Sequence, residues 1–482
     1  MSMPRYAGAR YAVCRARRGR HALLTTMAAP ALLLCAAMCA HADRTADIDK
    51  MLAAPDLQYA LVGIHVIDVG TGQVLYSRNA DVRMLPASNQ KVLTSAAAYE
   101  LLGPDHTYQT RVLADTKPNR EGTLLGSVYL KGGGDPSLKH KQIEALAHAV
   151  RSSGIRHIEG NVIADATAFA DSQLGAAWSW DYLDEAYAAQ ISALTVDGGC
   201  AKVTITGAAQ PGRSPVLATQ PPCDYLQLDP TAVTGGACKT PDLKRVLGQN
   251  LVALDSPIGP NDQASATIPV SDPARYCAVL FRQALQAAGV AVAGTVESGK
   301  APRGARQLTH VTSLPLRKLL SHMNKYSDNN YAELILRGIS FDKEGVGTRS
   351  ASVAAVDAWA EGFGADPLSY LMYDGSGLSR LNCMTPRFLV QLLRHMRPHE
   401  AWVKTLPVMG QDGTLRTRLK GTPAQGKICA KTGYLTGVRA LSGYATAASG
   451  RELVFSVLVN NTLGSGPARE LQDRMCLLLV AQ

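Results

Sequence analysis

The feature that most constrains the fold is a serine and a lysine, three residues apart, at the start of an alanine-rich apolar run. Ser88-Asn-Gln-Lys91 is followed by apolar residues at helical spacing up to Leu102, and Gly103 is suited to end a helix. Because residues i and i+3 share one helix face, the Lys91 amine can reach the Ser88 hydroxyl. A serine becomes a strong nucleophile when a base takes its proton, and a lysine serves as that base when burial lowers its pKa.

Two further polar segments lie far along the chain. Ser327-Asp-Asn329 opens a second helical run, and Lys431-Thr-Gly433 leads into a run that is typical of a strand. Each segment alone is unremarkable, since an isolated Ser-x-x-Lys is usually a polar first turn and a lone serine often caps a helix. Their joint presence, in this order, indicates one catalytic site to which all three segments contribute.

Both ends of the chain predict the same kind of structure. Residues 59–78 predict a β-hairpin with glycines at its turn, and this hairpin leads directly into the Ser88 helix. Residues 440–445 and 453–460 predict another strand pair, and residues 468–480 predict a final helix. We therefore expect one α+β domain that is built from the two ends of the sequence.

The middle of the chain predicts an insertion. Ser88 and Ser327 are 239 residues apart (327 − 88), which exceeds what a compact helical cluster needs. Residues 188–273 consist of short β-like runs that are rich in glycine, proline and threonine, and they predict a separate β-rich module. The glycine-rich stretch at residues 131–138 lacks the Gly-Lys-Ser/Thr of a phosphate-binding loop, which favours a structural turn.

The charge of the chain is concentrated in its leader. The formal net charge is +10, but residues 1–42 carry six arginines and no acid, which leaves 43 basic and 39 acidic residues, or +4, in the rest. This balance gives no support for nucleic-acid binding. The basic start, the apolar stretch at 27–38 and Ala40-His-Ala42 predict a secretory signal peptide at residues 1–42. We expect a soluble or peripheral protein outside the cytoplasmic membrane.

Seven cysteines follow the leader, and an oxidising compartment would allow disulfide bonds among them. The candidates for pairing are Cys200, Cys223, Cys238 and Cys277. No Cys-x-x-Cys pair is present, and His399-Glu400 lacks the second histidine of a zinc peptidase. We therefore expect no metal and no cofactor.

Taken together, these segments resemble the peptidase S13 family, the class C low-molecular-mass penicillin-binding proteins with D-alanyl-D-alanine carboxypeptidase and endopeptidase activity. The resemblance covers nearly all of the chain after the leader. Secondary motifs support it at residues 132–138, 192–196, 374–380, 385–386 and 413–416. It implies a β-lactamase/transpeptidase-like domain, with an antiparallel sheet and a helical cluster, that carries two inserted domains, one nested in the other.

The resemblance also implies domain boundaries. The catalytic domain would comprise residues 43–108 and 314–482. The inserted α/β domain would comprise residues 109–185 and 286–313, and the nested β-rich domain residues 186–285. This division agrees with the insertion that the spacing of the motifs predicts.

The family's catalytic roles map onto the three segments. Ser88 would be the acylated nucleophile and Lys91 its base. Ser327 would relay a proton towards the leaving amine, while Asn329 would orient Lys91 and the substrate amide. Lys431 would hold positive charge beside the cleft and bind the terminal carboxylate of the substrate.

The strand that carries Lys431 would supply further substrate contacts. Thr432 would assist in binding the carboxylate, and Gly433 would let the strand approach the peptide without a side-chain clash. The backbone N–H groups of Ser88 and Tyr434 would form the oxyanion hole. The Tyr434 ring is larger than the small residue expected there and would narrow the site.

Trp178 and Asp181 are weaker candidates for binding substrate. Stem peptides carry a side branch that ends in a free amine, and an acid beside aromatic rings could hold it. The alternative, a tryptophan of a domain core and a surface aspartate, is the more common situation.

The predicted function is therefore a periplasmic serine peptidase that cleaves D-Ala-D-Ala in peptidoglycan stem peptides and is inhibited covalently by β-lactams. Two alternatives stay open. A β-lactamase would need fast deacylation, and no additional glutamate motif for water activation is evident. A non-catalytic wall-binding protein would have no use for the pair Ser88 and Lys91. The balance of carboxypeptidase and endopeptidase activity, the side-chain diamine and the oligomeric state do not follow from the sequence.

Overall fold

The computed structural model describes residues 46–236 and 242–482. The predicted signal peptide at residues 1–42 and Cys238 lie outside these ranges. Residues 46–52 are helical and belong to an N-terminal unit that ends at Ala53, and the chain from Ala54 onward forms a second unit. Among the described residues, no helix has the length and apolar character needed to cross a membrane.

The helices of the second unit are numbered in chain order: α1 (Gln90–Leu102), α2 (His140–Ser152), α3 (Pro273–Ala287), α4 (Leu316–Tyr326), α5 (Asn329–Glu344), α6 (Arg349–Gly362), α7 (Pro386–Met396), α8 (Glu400–Val403) and α9 (Gly466–Val480). The strands are β1 (Leu61–Asp68), β2 (Val74–Arg78), β3 (Gln109–Ala114), β4 (Thr123–Leu124), β5 (Val128–Lys131), β6 (His157–Ile158), β7 (Val162–Asp165), β8 (Cys200–Thr206), β9 (Val216–Gln220), β10 (Gln227–Asp229), β11 (Leu243–Arg245), β12 (Leu251–Leu254), β13 (Gln263–Pro269), β14 (Ala291–Val292), β15 (Val296–Ser298), β16 (Arg306–Thr312), β17 (Tyr370–Leu371), β18 (Cys383–Met384), β19 (Ile428–Leu435), β20 (Val438–Thr446) and β21 (Glu452–Asn460).

The two ends of the chain meet in one five-stranded antiparallel sheet, as the sequence predicts. Its strand order is β19-β20-β21-β1-β2, so the first hairpin extends the sheet formed by the last three strands. Strand β21 is buried at eight consecutive positions after Glu452. Because successive side chains of a strand point to opposite faces, the sheet must be covered on both sides. Helix α7 packs against β1 and β21, and α9 packs against β20 and β21.

The main hydrophobic core joins this sheet to the helical cluster. Val454 and Leu458 of β21 share the core with Val92 and Ala96 of α1 and with apolar residues of α4, α5 and α7. Helix α1 contacts α4, α5, α6 and α7. Its burial at every position from Gln90 to Ala98 places it at the centre of the cluster. The helix begins and ends where the sequence predicts, and Gly103 follows it with φ 85°.

The chain between α1 and α4 forms sheets of its own. Strands β3, β5, β7, β15 and β16 form a mixed five-stranded sheet, and β4, β6 and β14 form a small parallel one. The intervening strands β8 to β13 pair only with one another, in two three-stranded sheets. Helix α3 crosses the expected boundary at residues 285 and 286 and packs against α2, β7 and β15. We keep the three-domain division as a proposal and assign α3 to the inserted α/β domain.

The expectation of disulfide pairing is wrong for the three described members of the candidate group. Cys200, Cys223 and Cys277 are free thiols. The Cys200 sulfur lies against the carbonyl oxygens of Ala186 and Gly198, at 3.8 and 3.6 Å, and Cys277 is fully buried in α3. Burial raises the pKa of Cys200 to about 12 and raises the pKa of Cys277 as well. Cys200 and Cys277 are therefore unreactive core residues.

Replacing Trp402 by phenylalanine should destabilise the catalytic core. Trp402 is fully buried, and its Nε1 donates a hydrogen bond to Ser95 Oγ on α1 at 3.1 Å. Loss of this bond and of part of the ring volume should lower the free energy of unfolding by roughly 1–3 kcal/mol, as measured by urea denaturation. The control is Trp180→Phe, because Trp180 is 79% exposed and its replacement should change stability by less than about 0.5 kcal/mol. Equal effects of the two substitutions would contradict this packing.

Candidate active site

Ser88 lies in a short 3₁₀ turn, Ala87–Asn89, that immediately precedes α1. The preceding residue, Ala87, has φ 46°, a left-handed conformation that is unfavourable for alanine. The turn is held against β19, because Asn89 Nδ2 donates a hydrogen bond to the Lys431 carbonyl oxygen at 3.1 Å. The half-buried Ser88 hydroxyl is thereby fixed at the start of a buried helix.

Two glycines allow neighbouring segments to approach this turn closely. A Cβ atom at Gly433 of β19 would lie 2.8 Å from the Pro86 carbonyl oxygen. A Cβ atom at Gly377 would lie 1.9 Å from the Ala87 carbonyl oxygen, and Gly377 also has φ 84°. Any side chain at either position would push β19 or the loop at residues 374–380 away from the turn.

The Lys91 side chain joins the nucleophile turn to two other segments. Its Nζ donates hydrogen bonds to Ser88 Oγ at 3.1 Å, to Asn329 Oδ1 at 2.6 Å and to the Ser376 carbonyl oxygen at 2.6 Å. Lys91 is fully buried. Its amine therefore has a fixed position beside the Ser88 hydroxyl, which is the geometry that the Ser-x-x-Lys spacing predicts.

Burial of Lys91 shifts its protonation equilibrium towards the neutral amine, relative to a lysine in water. Burial lowers the pKa of Lys91 to about 8, and the negative charges of Asp374, Asp328 and Glu333 oppose this shift only in part. At pH 7 roughly a tenth of the molecules would therefore carry an unprotonated Lys91. An ordinary surface lysine would carry a proton in nearly all molecules, so burial is what makes this amine available as a base.

Lys431 and Ser327 form a second lysine–serine pair. Lys431 Nζ donates hydrogen bonds to Ser327 Oγ and to the Thr432 carbonyl oxygen, both at 2.9 Å. Ser327 has φ 59° and connects α4 to α5, which Asp328 caps through its side chain. Burial lowers the pKa of Lys431 well below its usual value, and the charge of Lys91 lowers it further.

The three segments surround one cavity of about 250 Å³. Four of the residues predicted from the sequence line it, namely Ser88, Ser327, Asn329 and Tyr434. Lys91 and Lys431 do not line the cavity, but each donates a hydrogen bond to a serine that does. The structure thus brings together segments that are separated by 239 residues and by 104 residues along the chain (327 − 88; 431 − 327).

Strand β19 forms one edge of this cavity. Thr432 Oγ1 lies 2.8 Å from Thr414 Oγ1, so the motif at residues 413–416 lies beside the Lys-Thr-Gly segment. Tyr434 is exposed, and the Arg439 guanidinium lies 4.0 Å from its ring centroid. Tyr434 also lines the cavity, so its ring lies at the site, and the expected narrowing stays a prediction.

Trp178 and Asp181 do not line the cavity. Trp178 Nε1 donates a hydrogen bond to Asp374 Oδ2 at 2.9 Å, and the ring packs against the apolar cluster that contains Ala87 and Leu378. Asp181 is exposed and makes no hydrogen bond or ion pair with any other described residue. Two tyrosines of the same inserted segment, Tyr182 and Tyr187, line the cavity instead.

Sequence reasoning missed two contributions to the site. Glu333 of α5 is fully buried, and its Oε1 accepts hydrogen bonds from the backbone N–H groups of Gly375 and Ser376 at 3.0 and 2.9 Å. It holds the loop whose Ser376 carbonyl oxygen contacts Lys91. Asn329 Nδ2 donates to the Tyr187 carbonyl oxygen at 2.8 Å, which ties the inserted segment to the site. The only available signal for Glu333 was an acid within an apolar helical run, which is a weak one.

Comparison with known proteins identifies the family of this chain. The profile of the D-Ala-D-Ala carboxypeptidase 3 (S13) family matches residues 44–482. The chain belongs to the peptidase S13 family. It is accordingly an enzyme of the serine-type carboxypeptidase class, and the resemblance found in the sequence is confirmed.

One relative and two solved structures are similar to this chain over most of its length. The chain is 38% identical to a D-alanyl-D-alanine carboxypeptidase from Actinomadura sp. (strain R39), with 90% of this chain and 84% of the relative covered. Penicillin-binding protein 4 from Haemophilus influenzae has a similar fold, with a TM-score of 0.80 at 24% identity, covering 89% of this chain and 98% of that one. A structure of that protein with a β-lactam has a TM-score of 0.76 at 23% identity, covering 91% and 99%. The predicted α+β, β-lactamase/transpeptidase-like fold class is thereby confirmed.

The burial of Lys91 should be visible in the pH dependence of stability. The pKa of Lys91 falls from 10.5 in the unfolded chain to about 8 in the fold, so the unfolded chain binds more protons between these pH values. The contribution of Lys91 to the free energy of unfolding must therefore rise by roughly 3 kcal/mol as the pH increases from 8 to 10.5. Urea denaturation should show the wild type gaining stability relative to Lys91→Met over this window. A constant difference between the two proteins would contradict the lowered pKa.

Proposed function

We propose that this family member is a D-alanyl-D-alanine carboxypeptidase and endopeptidase that cleaves peptidoglycan stem peptides through an acyl-enzyme on Ser88. The observation that carries the proposal is the contact between the buried Lys91 amine and the Ser88 hydroxyl, at 3.1 Å, on the wall of a cavity. A buried amine with a lowered pKa beside a serine is the arrangement that an activated nucleophile needs.

The first half of the reaction forms the acyl-enzyme. Neutral Lys91 accepts the Ser88 proton as Oγ attacks the carbonyl carbon between the two D-alanines. The backbone N–H groups of Ser88 and Tyr434 stabilise the negative charge that develops on the carbonyl oxygen. Lys431 and Thr432 bind the terminal carboxylate, and Gly433 leaves room for the peptide beside β19.

The second half releases the amine and then the acid. Ser327, which accepts a hydrogen bond from Lys431, passes its proton to the leaving D-alanine nitrogen and is reprotonated by the Lys91 ammonium, which becomes neutral again. Water then attacks the acyl-enzyme and gives a proton to Lys91, and Lys91 returns this proton to Ser88 Oγ as the acid is released. A β-lactam offers a similar amide and carboxylate but keeps its leaving group attached after ring opening. Its acyl-enzyme should therefore persist, which makes β-lactams covalent inhibitors.

Substrate orientation involves Asn329 and the inserted segment. Asn329 orients Lys91 through Oδ1 and uses its amide nitrogen to orient the substrate. We propose that the exposed carboxylate of Asp181, with Trp178 and the neighbouring tyrosines, receives the free amine of the stem-peptide side branch. Asp181 is available for this role because its carboxylate has no ion-pair partner among the described residues.

We further propose that the enzyme acts in the periplasm, where peptidoglycan is its substrate. The composition of residues 1–42 supports export by a signal peptide. The relative from Actinomadura is a D-alanyl-D-alanine carboxypeptidase, and the solved complex contains a β-lactam, which supports the same ligands here.

Fluorescent penicillin should label the wild-type protein covalently, and Ser88→Ala should abolish the label. The physical reason is that the hydroxyl oxygen forms the ester bond. Ser321→Ala is the matched control, because Ser321 lies on α4 and lines no part of the cavity, so labelling should be unchanged. Labelling is read by gel fluorescence and mass spectrometry. A labelled Ser88→Ala protein would contradict the assignment, and rapid loss of label would indicate a β-lactamase.

The rate of penicillin acylation should rise with pH and level off above about 8, because the neutral fraction of Lys91 grows over this range. Lys91→Ala should be slower by roughly a thousandfold and should lose this pH dependence. In Glu333→Gln the midpoint should move to lower pH, because the charge of Glu333 raises the pKa of Lys91. Stopped-flow measurements from pH 6 to 10 provide the profile. A midpoint that is independent of both substitutions would exclude Lys91 as the base.

A further inference from the structure

A second cavity, of about 620 Å³, lies between helix α3 and residues 224, 225 and 250 of the β-rich module. It shares no lining residue with the catalytic cavity. Arg275, Val279, Arg282 and Gln286 of α3 line it at spacings of four, three and four residues, so they form one face of the helix. This face is mainly polar and charged, with Arg275 and Gln286 exposed and Arg282 half-buried, so polar groups border the concave surface.

The two arginines of this face lack partners. Neither the Arg275 nor the Arg282 side chain makes a hydrogen bond or an ion pair with any described residue, and the Nε atom of Arg282 is buried. By contrast, the buried Arg337 is paired with both Glu333 and Asp171. The buried Arg282 Nε donor has no acceptor among the described residues, which is unfavourable, and together with the exposed, unpaired guanidinium of Arg275 it attracts an anion. The cavity therefore has the chemistry of an anion-binding site.

The wall opposite the arginines is held rigidly. Tyr225 Oη donates to the carbonyl oxygens of Ser271 and Asp272, at 2.9 and 3.1 Å. Asn250 makes two hydrogen bonds to the Ser271 backbone, at 2.8 and 3.1 Å. These contacts fix the chain just before α3, whose N-terminal partial charge adds to the positive potential near Arg275. The site is thus formed before any ligand arrives, which lowers the cost of binding.

We propose that this cavity binds the carboxylate groups of a second peptidoglycan stem peptide, which is not cleaved there. The proposal rests on the proposed function, because it takes the ligand from the same polymer. Guanidinium groups bind carboxylates through two parallel hydrogen bonds, so Arg275 and Arg282 suit the acidic groups of a stem peptide. Asp224 also lines the cavity and has no ion-pair partner among the described residues, so it suits the free amine of the same peptide.

Such a site would act on polymeric substrate and leave short soluble substrates unaffected. Once a stem peptide of the polymer is held in the second cavity, a neighbouring stem reaches Ser88 as if at millimolar concentration. A single pentapeptide cannot occupy both sites, so its hydrolysis does not depend on the arginines. A comparison of hydrolysis rates on polymeric substrate and on a soluble pentapeptide therefore distinguishes a site that only binds the polymer from the site that cleaves it.

The test uses the double variant Arg275→Ala/Arg282→Ala and, as control, Arg213→Ala, an exposed arginine outside the cavity. The full-length protein is first acylated with penicillin, so that the catalytic cavity is blocked. Binding of a fluorescent stem tripeptide that lacks both D-alanines is then measured by anisotropy. We expect at least tenfold weaker binding by the double variant and unchanged binding by the control. Release of D-alanine from a soluble pentapeptide should be equal in all three proteins, while release from intact sacculi should fall in the double variant alone.

Equal tripeptide binding by the wild type and the double variant would overturn the proposal. Displacement of the tripeptide by inorganic phosphate at equal concentration, or binding of phosphate without the tripeptide, would identify a phosphate site and would also overturn it. Failure of the proposed function has a different signature, because penicillin treatment would then produce no mass increase. In that case the untreated proteins still test the cavity, through the difference in binding between wild type and double variant.

Discussion

The rest of the site depends on two buried lysines, Lys91 and Lys431. Neither amine contacts a carboxylate of a described residue. Transfer of an ammonium group from water into a protein interior costs several kcal/mol unless its hydrogen bonds are replaced. Lys91 and Lys431 receive only hydroxyl, amide and carbonyl oxygens as acceptors. These acceptors bind the ammonium but do not neutralise it, and the charge of Lys91 further lowers the pKa of Lys431. The pKa values of both lysines are therefore lowered, which costs stability but increases the fraction of each amine that is unprotonated near neutral pH.

The surrounding structure offsets this cost by fixing the acceptors. The loop that provides the Ser376 carbonyl oxygen is held by Glu333 and by Asp374, which accepts hydrogen bonds from the backbone N–H groups of Gly377 and Ser379, both at 2.7 Å. The Asn382 amide also donates to Asp374, at 2.8 Å. Left-handed backbone at Ala87 and Ser327 shows the same principle, since strain persists only where neighbouring contacts determine the conformation.

Elements of the structure could be predicted from the sequence where the interactions that form them are local in the chain. The first hairpin, helix α1 and the β-rich segment were predictable because turn glycines and hydrophobic periodicity act over a few residues. The Ser88 and Lys91 pair was predictable because helix geometry fixes the spacing of i and i+3. The position of Glu333 beside the 374–380 loop depends on packing between distant segments, as does the contact of Trp178 with Asp374. Cysteine pairing failed for the same reason, because compartment and count say nothing about which sulfur atoms meet.

The amide of Asn329 shows how the inserted segment can serve the reaction. Its oxygen must face the Lys91 ammonium, which has only donors, so its nitrogen must face the other way. One N–H of that nitrogen is taken by the Tyr187 carbonyl oxygen of the insertion, at 2.8 Å, and the other has no acceptor among the described residues, while Asn329 lines the cavity. Two contacts thus fix the side chain from opposite ends, so that its remaining donor points in a single direction. We therefore expect a substrate carbonyl that accepts this hydrogen bond to be oriented by Lys91 of helix α1 and by the inserted segment together, which would couple the insertion to the chemistry.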